Sequence, residues 1–378
     1  MLNEQQLDWL RLRLIPNLGS MVFARLLKRF GAPGRVFQAG VEELRQIKGI
    51  GANMARDIVS RASEPMLESH IKALDKLAAR MLTMEDEEYP ELLRNIYAPP
   101  PLLFVKGDLK PCASRAIAVV GSRKPTLYGR KVAEDIGRDL AIRGVSLVSG
   151  LARGVDSLAH KSALAAGGHT VGELACSLDY VYPPEHADLV VQMAEKGAVV
   201  SEYLIDAPPK PGLLPVRNRI ISGLSLGTIV VEAGLRSGSL ITARHALDQG
   251  REVFAVPGPV TSLLSKGCNE LLRQGAILYS NIEDLYNNIP MLAAGGGYAS
   301  GLSYLPLATS LQVSQEQAGL DLPPDSANIL NLIGIVPTHI DEIIRQSGLS
   351  PQALTALLVD LELDGLVSQT PGRCYMRL

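Results

Sequence analysis

The run Ala116-Ile117-Ala118-Val119-Val120 is wholly apolar and stops abruptly at Gly121-Ser122-Arg123. A short apolar run bounded by turn residues reads as a strand buried on both faces, which is the habit of a parallel sheet. Thr126 and Gly129 follow, and a helical stretch continues to Arg143. Such a strand–turn–helix unit points backbone N–H groups and a helix N-terminus at one spot, which suits a phosphate, and Arg123 adds a charged fork there. The G-x-G-x-x-G spacing of a dinucleotide site is absent, so this turn alone specifies little.

The same alternation runs along the middle of the chain. Strands are predicted at Ala116–Val120, Ser146–Ser149, His169–Leu174, Ala198–Ser201, Thr228–Glu232 and Glu252–Val256. Helical stretches fill the intervals at Gly129–Arg143, Asp156–Ala166, Glu185–Lys196, Arg217–Leu224, Ser239–Asp248 and Cys268–Gln274. Regular strand–helix alternation implies an α/β domain over residues 82–288, built on a Rossmann-like, doubly wound parallel sheet. Sheets of this kind take ligands in the crevice beyond the C-terminal strand ends. The loops there are Gly121-Ser122-Arg123, Gly150-Leu151-Ala152-Arg153-Gly154, Glu202-Tyr203 and Ala233 to Ser239. They are rich in Gly, Ser and Arg and are predicted to gather on one edge.

At 378 residues the chain is long enough for further domains. Residues 1–65 read as short helices, with Ile47-Lys48-Gly49-Ile50-Gly51 between two of them. That is a helix-hairpin-helix (SAM-like) pattern, whose glycines allow a tight turn that either approaches a DNA phosphate or simply packs. A further helix is expected from Pro65 to Arg80. Residues 291–325, with Gly295-Gly296-Gly297 and Pro323-Pro324, read as a linker. From 326 to 378, three helical stretches and a terminal apolar alternation suggest a winged-helix domain. Its third helix, where such a fold enters a major groove, has no Lys or Arg from Ser350 to Val367 and carries Asp360 and Glu362. Protein contact or a structural role is therefore expected there ahead of duplex binding.

Composition narrows the classes. A chain 47% hydrophobic and 20% charged is that of a soluble globular protein, and charged residues interrupt every apolar run before membrane-spanning length. Met1-Leu2-Asn3-Glu4-Gln5 lacks the basic-then-apolar pattern of a secretion signal, so a cytoplasmic location and no membrane association are expected. Cys112, Cys176, Cys268 and Cys374 lie far apart with no C-x-x-C pair, which disfavours zinc or a disulfide framework. The net charge is −2, so a polyanion site has to be a local concentration of Arg and Lys.

Several further motifs share the central domain: Ser149 to Asp156 with His160, Tyr182-Pro183, Arg217-Asn218-Arg219, Val231-Glu232-Ala233 leading to Ser237-Gly238-Ser239, Val256-Pro257-Gly258 and Gly267-Cys268-Asn269. In this order and spacing the chain resembles the DNA-processing protein A family (DprA, also called Smf) over essentially its whole length. The resemblance implies a non-catalytic, cytoplasmic protein without a cofactor. It would bind single-stranded DNA, protect incoming strands in natural transformation and help load the RecA recombinase. It also implies a homodimer formed through the Rossmann-like domain. Matched onto this sequence, the implied DNA site comprises Gly121, Ser122 and Arg123, Gly150, Arg153 and Gly154, Arg217, Asn218 and Arg219, and Ser237, Gly238 and Ser239.

The residues support the same chemistry by themselves. Arg123, Arg153, Arg217, Arg219 and Lys210 supply local charge, and the serines and glycine amides supply donors for phosphate oxygens. Tyr128, Tyr182 and Tyr203 are the nearby stacking candidates. One of Arg217 and Arg219 has Glu202 or Glu232 as an alternative ion-pair partner. Asp156 and His160 read as packing and helix-start groups. Glu232 is open to an ion pair or a base role. Leu271, Leu272, Ile277 and Leu278 are expected either to aid self-association or to be ordinary core. Departures from the family pattern include Glu173 in a strand and Glu185 after Tyr182-Pro183, where a basic residue often stands.

Two rivals remain open. A nucleotide phosphoribohydrolase would need a Pro-Gly-Gly-x-Gly-Thr-x-x-Glu loop, and Glu232 to Thr242 lacks it. A winged-helix transcription regulator would need a less acidic third helix.

Overall fold

The computed structural model describes residues 2–112, 114–294, 323–333, 338–363, 366–370 and 374–377. These fall into two compact units, one before residue 295 and one after residue 322. Most of the expected linker therefore lies outside the described residues, and its first part is helical at Pro290–Ala294.

The first unit is organised by a nine-stranded sheet. Its strands are β1 (Arg80–Thr83), β2 (Leu102–Gly107), β3 (Ala116–Val120), β4 (Ser146–Ser149), β5 (Thr170–Glu173), β6 (Ala198–Ser201), β7 (Gly227–Val230), β8 (Glu252–Ala255) and β9 (Ile277–Leu278). The order across the sheet is β1-β2-β6-β5-β4-β3-β7-β8-β9. From β6 to β9 all pairs are parallel, with Ala118 opposite Val148 on one side and Thr228 on the other. The topology reverses at β3, which places its C-terminal end at the switch point where such sheets bind ligands.

Helices precede this sheet and cover both of its faces. Those before it are α1 (Glu4–Arg13), α2 (Ser20–Phe30), α3 (Pro33–Val36), α4 (Val41–Arg45), α5 (Ala52–Val59) and α6 (Glu64–Lys76). Those interleaved with it are α7 (Glu91–Arg94), α8 (Leu127–Ile142), α9 (Val155–Ala165), α10 (Ala187–Lys196), α11 (Leu213–Gly223), α12 (Ser239–Asp248), α13 (Lys266–Arg273) and α14 (Glu283–Asn288). Ile117 and Val119 pack with Ile136 and Leu140 of α8 and Ala159 of α9. Ala118 and Val120, pointing the other way, pack with Ile220 and Ile221 of α11 and Ala243 of α12. Both faces of β3 are thus covered, which is why every residue in the run is apolar; each large aliphatic buried there contributes about 1.5–3 kcal/mol.

Three strands differ from the sequence reading. β1 and β2 form an antiparallel extension at one edge, Leu82 opposite Leu103, and β2 joins β6 antiparallel. Their connection, residues 84–101, holds only the short α7 and Pro99-Pro100-Pro101, so it gives no strand–helix period. β9 is two residues long, below what periodicity can register.

The N-terminal helices include the expected hairpin, α4 and α5 joined through Ile47–Gly51. Asn3 caps α1 reciprocally with Gln6, and Trp9 stacks on Phe23 at 5.3 Å between centroids. Their core is continuous with Met81, Leu102, Phe104 and Val199 of the sheet, so helices and sheet share one unit.

The second unit contains α15 (Pro324–Leu332), β10 (Thr338–His339), α16 (Ile340–Ser347), α17 (Pro351–Leu363), β11 (Val367–Thr370) and β12 (Cys374–Arg377). The strands pair antiparallel in the order β10-β12-β11, and Ile329, Ile343, Leu354, Leu358 and Val367 form the core. This is the winged-helix arrangement, in which β10 adds a strand ahead of the terminal apolar alternation.

Candidate nucleic-acid interface

Beyond the C-terminal ends of β3, β4, β5 and β7 the surface sinks into two adjoining hollows. The first, about 180 Å³, is walled by Arg123, Gly150, Ala152, Arg153, Leu174, Ala175, Cys176, Tyr182, Pro183, Pro209, Lys210, Pro211, Leu214 and Arg217. The second, about 280 Å³, includes Gly121, Arg123, Asp156, Arg217, Asn218, Ser237, Gly238, Ser239, Ile241 and Thr242. Arg123, Ala152, Pro211, Leu214 and Arg217 belong to both, so the hollows form one continuous rim.

The cations are placed very differently. Arg123 and Lys210 are exposed. Arg217 is 3% exposed, and its Nη1 donates to the backbone oxygens of Gly150 (2.9 Å) and Glu173. Gly150 permits this approach, because a Cβ there would lie 2.6 Å from Arg217 Nη2. Burial lowers the Arg217 pKa while Glu173 and Asp156 oppose that shift. Arg217 is therefore a post under the rim that ties β4 to β5. Arg219, two residues along α11, points elsewhere and lines neither hollow. It grips Glu202 through two 2.7 Å bonds and Ala98 O at 3.1 Å. The structure thus separates Arg219 from the other predicted site residues.

Internal anions already occupy two of the expected phosphate positions. The start of α8, predicted to be open to a phosphate, is closed. Thr126 Oγ1 caps Gly129 N at 3.1 Å, and the buried Glu232 carboxylate accepts from Thr126 N (2.9 Å) and Oγ1 (2.6 Å). The 150–154 turn is filled likewise: Asp156 Oδ2 accepts from Gly150 N (3.1 Å) and Ala152 N (3.4 Å). Burial raises the Asp156 pKa, with Arg217 and these bonds opposing. Gly154, at φ 81°, closes this turn against Ser122 O. Ser122 Oγ accepts from Lys124 N at 3.1 Å, so Ser122 and Gly154 shape the loop without lining a hollow.

The start of α12 is the contrasting case. Its N-cap is Gly238, with no side-chain cap. Ser237 and Ser239 hydroxyls lie 2.7 Å apart there, and Asn218 Nδ2 donates to Gly238 O at 3.3 Å. Ser239 N, Leu240 N and Ile241 N are turned to Ser237 Oγ (3.4 Å), Ser237 O (3.2 Å) and Gly238 O (3.1 Å), so the groups that can cradle an anion here are the two hydroxyls, with Arg123 across the hollow. Of the tyrosines, only Tyr182 lines the rim. The Tyr128 hydroxyl donates to Pro257 O at 3.0 Å and the residue lines neither hollow, while the Tyr203 hydroxyl is buried without a partner. The Glu173 carboxyl, also buried and unpartnered, is raised well above the usual carboxylate pKa by burial.

This geometry can be set beside known proteins. The profile of the DNA recombination-mediator protein A family matches residues 80–290, and that of the DprA winged helix domain matches residues 313–373. The chain belongs to the DNA recombination-mediator protein A family. Protein Smf of Synechocystis sp. is 32% identical over the full length of both chains. Among solved structures, DprA of Streptococcus pneumoniae has a TM-score of 0.68 at 32% identity, covering 75% of this chain and 98% of that one. DNA processing protein A of Helicobacter pylori, described by its single-stranded DNA binding mode, has a TM-score of 0.51 at 34% identity, covering 55% and 94%.

Within this recombination-mediator domain, sequence reasoning missed the apolar wall of the first hollow, Leu174, Ala175, Cys176, Pro209 and Leu214. The available signal was position: Leu174 to Cys176 directly follow β5, where the crevice rule puts ligands. The expected self-association segment is split. Leu271, Leu272 and Ile277 are half-buried against the chain's own core, whereas Leu278 is 50% exposed on the edge strand β9.

Proposed function

We propose that this chain binds single-stranded DNA along the rim shared by the two hollows and holds it without turnover. The observation that carries the reading is Arg123, an exposed cation common to both hollows, with no ion pair among the described residues. A phosphate seated at the α12 start meets Ser237, Gly238, Ser239 and Asn218, and its neighbour along the strand reaches Arg123. Lys210 extends the same positive edge, and Arg153 lies on it paired with Glu185. Tyr182 and the prolines offer flat apolar surface to a base. Gly121 and Gly150 leave room beneath the rim for Val155 and Arg217, and Arg217 holds the floor in place. Recognition through phosphates is independent of sequence and weakens with salt.

The single-stranded DNA binding mode of the Helicobacter relative supports the choice of single strands. The rival hydrolase reading is weakened by Glu232, whose carboxylate is spent on Thr126. In the setting that the family resemblance implies, the strand is incoming DNA in the cytoplasm, protected and passed to RecA by a homodimer. Among the described residues no helix is long and apolar enough to cross a membrane.

The test is a comparison of ligands. A single-stranded oligonucleotide should bind more tightly than a duplex of equal length, and a nucleoside monophosphate should bind weakly and remain intact. Release of free base from the monophosphate, or equal affinity for duplex, contradicts the proposal.

A further inference from the structure

Several carboxylates already sit where the rim would attract a phosphate. Asp156 on the 150–152 amides is 6% exposed and Glu232 at the α8 start is 3% exposed, so both are fixed parts of the fold. The third is different. Glu185 holds Arg153 in a two-point ion pair, Nε to Oε1 and Nη2 to Oε2 (3.1 Å), with both side chains about half exposed. The pair is held in place by its surroundings: His186 Nδ1 bonds Leu151 O at 2.9 Å, which pins the segment bearing Glu185 to the turn bearing Arg153. Tyr182 and Pro183, just before it, wall the first hollow, and Arg153 itself lines that hollow.

The geometry points to Glu185 as an internal competitor anion: its carboxylate occupies the Arg153 fork in the free protein, and a bound strand has to displace it. This inference rests on the single-strand reading above and assigns the residue that sets how firmly the rim grips. An exposed ion pair is weak, so a phosphate diester can take its place, whereas it cannot take the place of Asp156 or Glu232. The fork matches a phosphate as well as it matches a carboxylate. The consequence is a grip tuned below its maximum, which favours a strand that is held and then given up.

The experiment uses the full chain and a fluorescein-labelled oligothymidylate, with affinity read by anisotropy across a salt series. Glu185→Gln should bind about two- to fivefold more tightly at each salt concentration, because the Arg153 fork no longer has to be vacated before a phosphate enters it. Arg153→Ala should cost the parent protein less than about twofold yet abolish the whole gain in the Glu185→Gln background. Glu185→Asp, keeping the charge, should stay near the parent. Unchanged or weaker binding by Glu185→Gln, or an equal cost of Arg153→Ala in both backgrounds, overturns the inference alone. Failure of the parent protein to bind the oligomer overturns it together with the single-strand reading.

Discussion

Charge at the rim divides into groups that face outward and groups consumed by the fold, and the division decides what each substitution does. Arg219 and Glu202 are 11% and 6% exposed, so Arg219→Ala leaves a buried carboxylate without its partner and should cost about 3–5 kcal/mol of stability. Urea unfolding checks this, and the affinity of the folded protein for single strands should change by less than about twofold. A full loss of DNA binding with unchanged stability would return Arg219 to the interface. His160 is a second consumed group. Its ring is fully buried, bonded to Thr170 Oγ1 at 2.6 Å, and burial pushes its pKa from 6.5 down to about 3. Between those values the unfolded chain binds a proton that the fold does not. Stability from this group therefore falls as pH drops from about 6.5 towards 3, by about 1.4 kcal/mol per pH unit at the steepest. His160→Gln should flatten that part of the stability–pH curve, and an unaltered slope would show that other groups control acid unfolding.

Strands and helices set where those charges can go. Six central strands were legible because burial on both faces makes them short, largely apolar runs, wholly so at β3, that alternate with helical stretches. The edge strands were not: β1 and β2 lack a crossover helix, and β9 is too short to carry a pattern. Asn218 came from the family resemblance and Lys210 from local charge, whereas the loops bearing Arg123, Arg153 and the Ser237–Ser239 turn were legible by the crevice rule. What it could not supply was occupancy. Glu232 lies on β7's end and Asp156 on α9, and no spacing in the chain reveals that each folds back onto a turn's amides. Arg217 and Arg219 are likewise two residues apart on one helix, so they point about 200° apart around its axis, and only the packed structure shows which faces the rim. The sheet's far edge carries its own expectation. Leu278 on β9 is an exposed apolar residue on an unpaired edge, so if the proposed homodimer forms through this edge, Leu278→Lys should leave a folded monomer in light scattering. A dimer that survives would assign self-association to another surface.

With a net charge of −2 over the whole chain, the proposed grip on a polyanion has to come from local charge, and Arg123 supplies it at the rim. Grip there should be local, salt-sensitive and indifferent to sequence, and it should not depend on ionising Glu173. The most direct measurement is the affinity of the parent protein and of Arg123→Ala for an unlabelled oligothymidylate at moderate salt, by calorimetry. Loss of a charged hydrogen-bonded contact predicts a deficit of about 1.5–3 kcal/mol, with unfolding stability unchanged. Equal affinity in the two proteins would contradict the account.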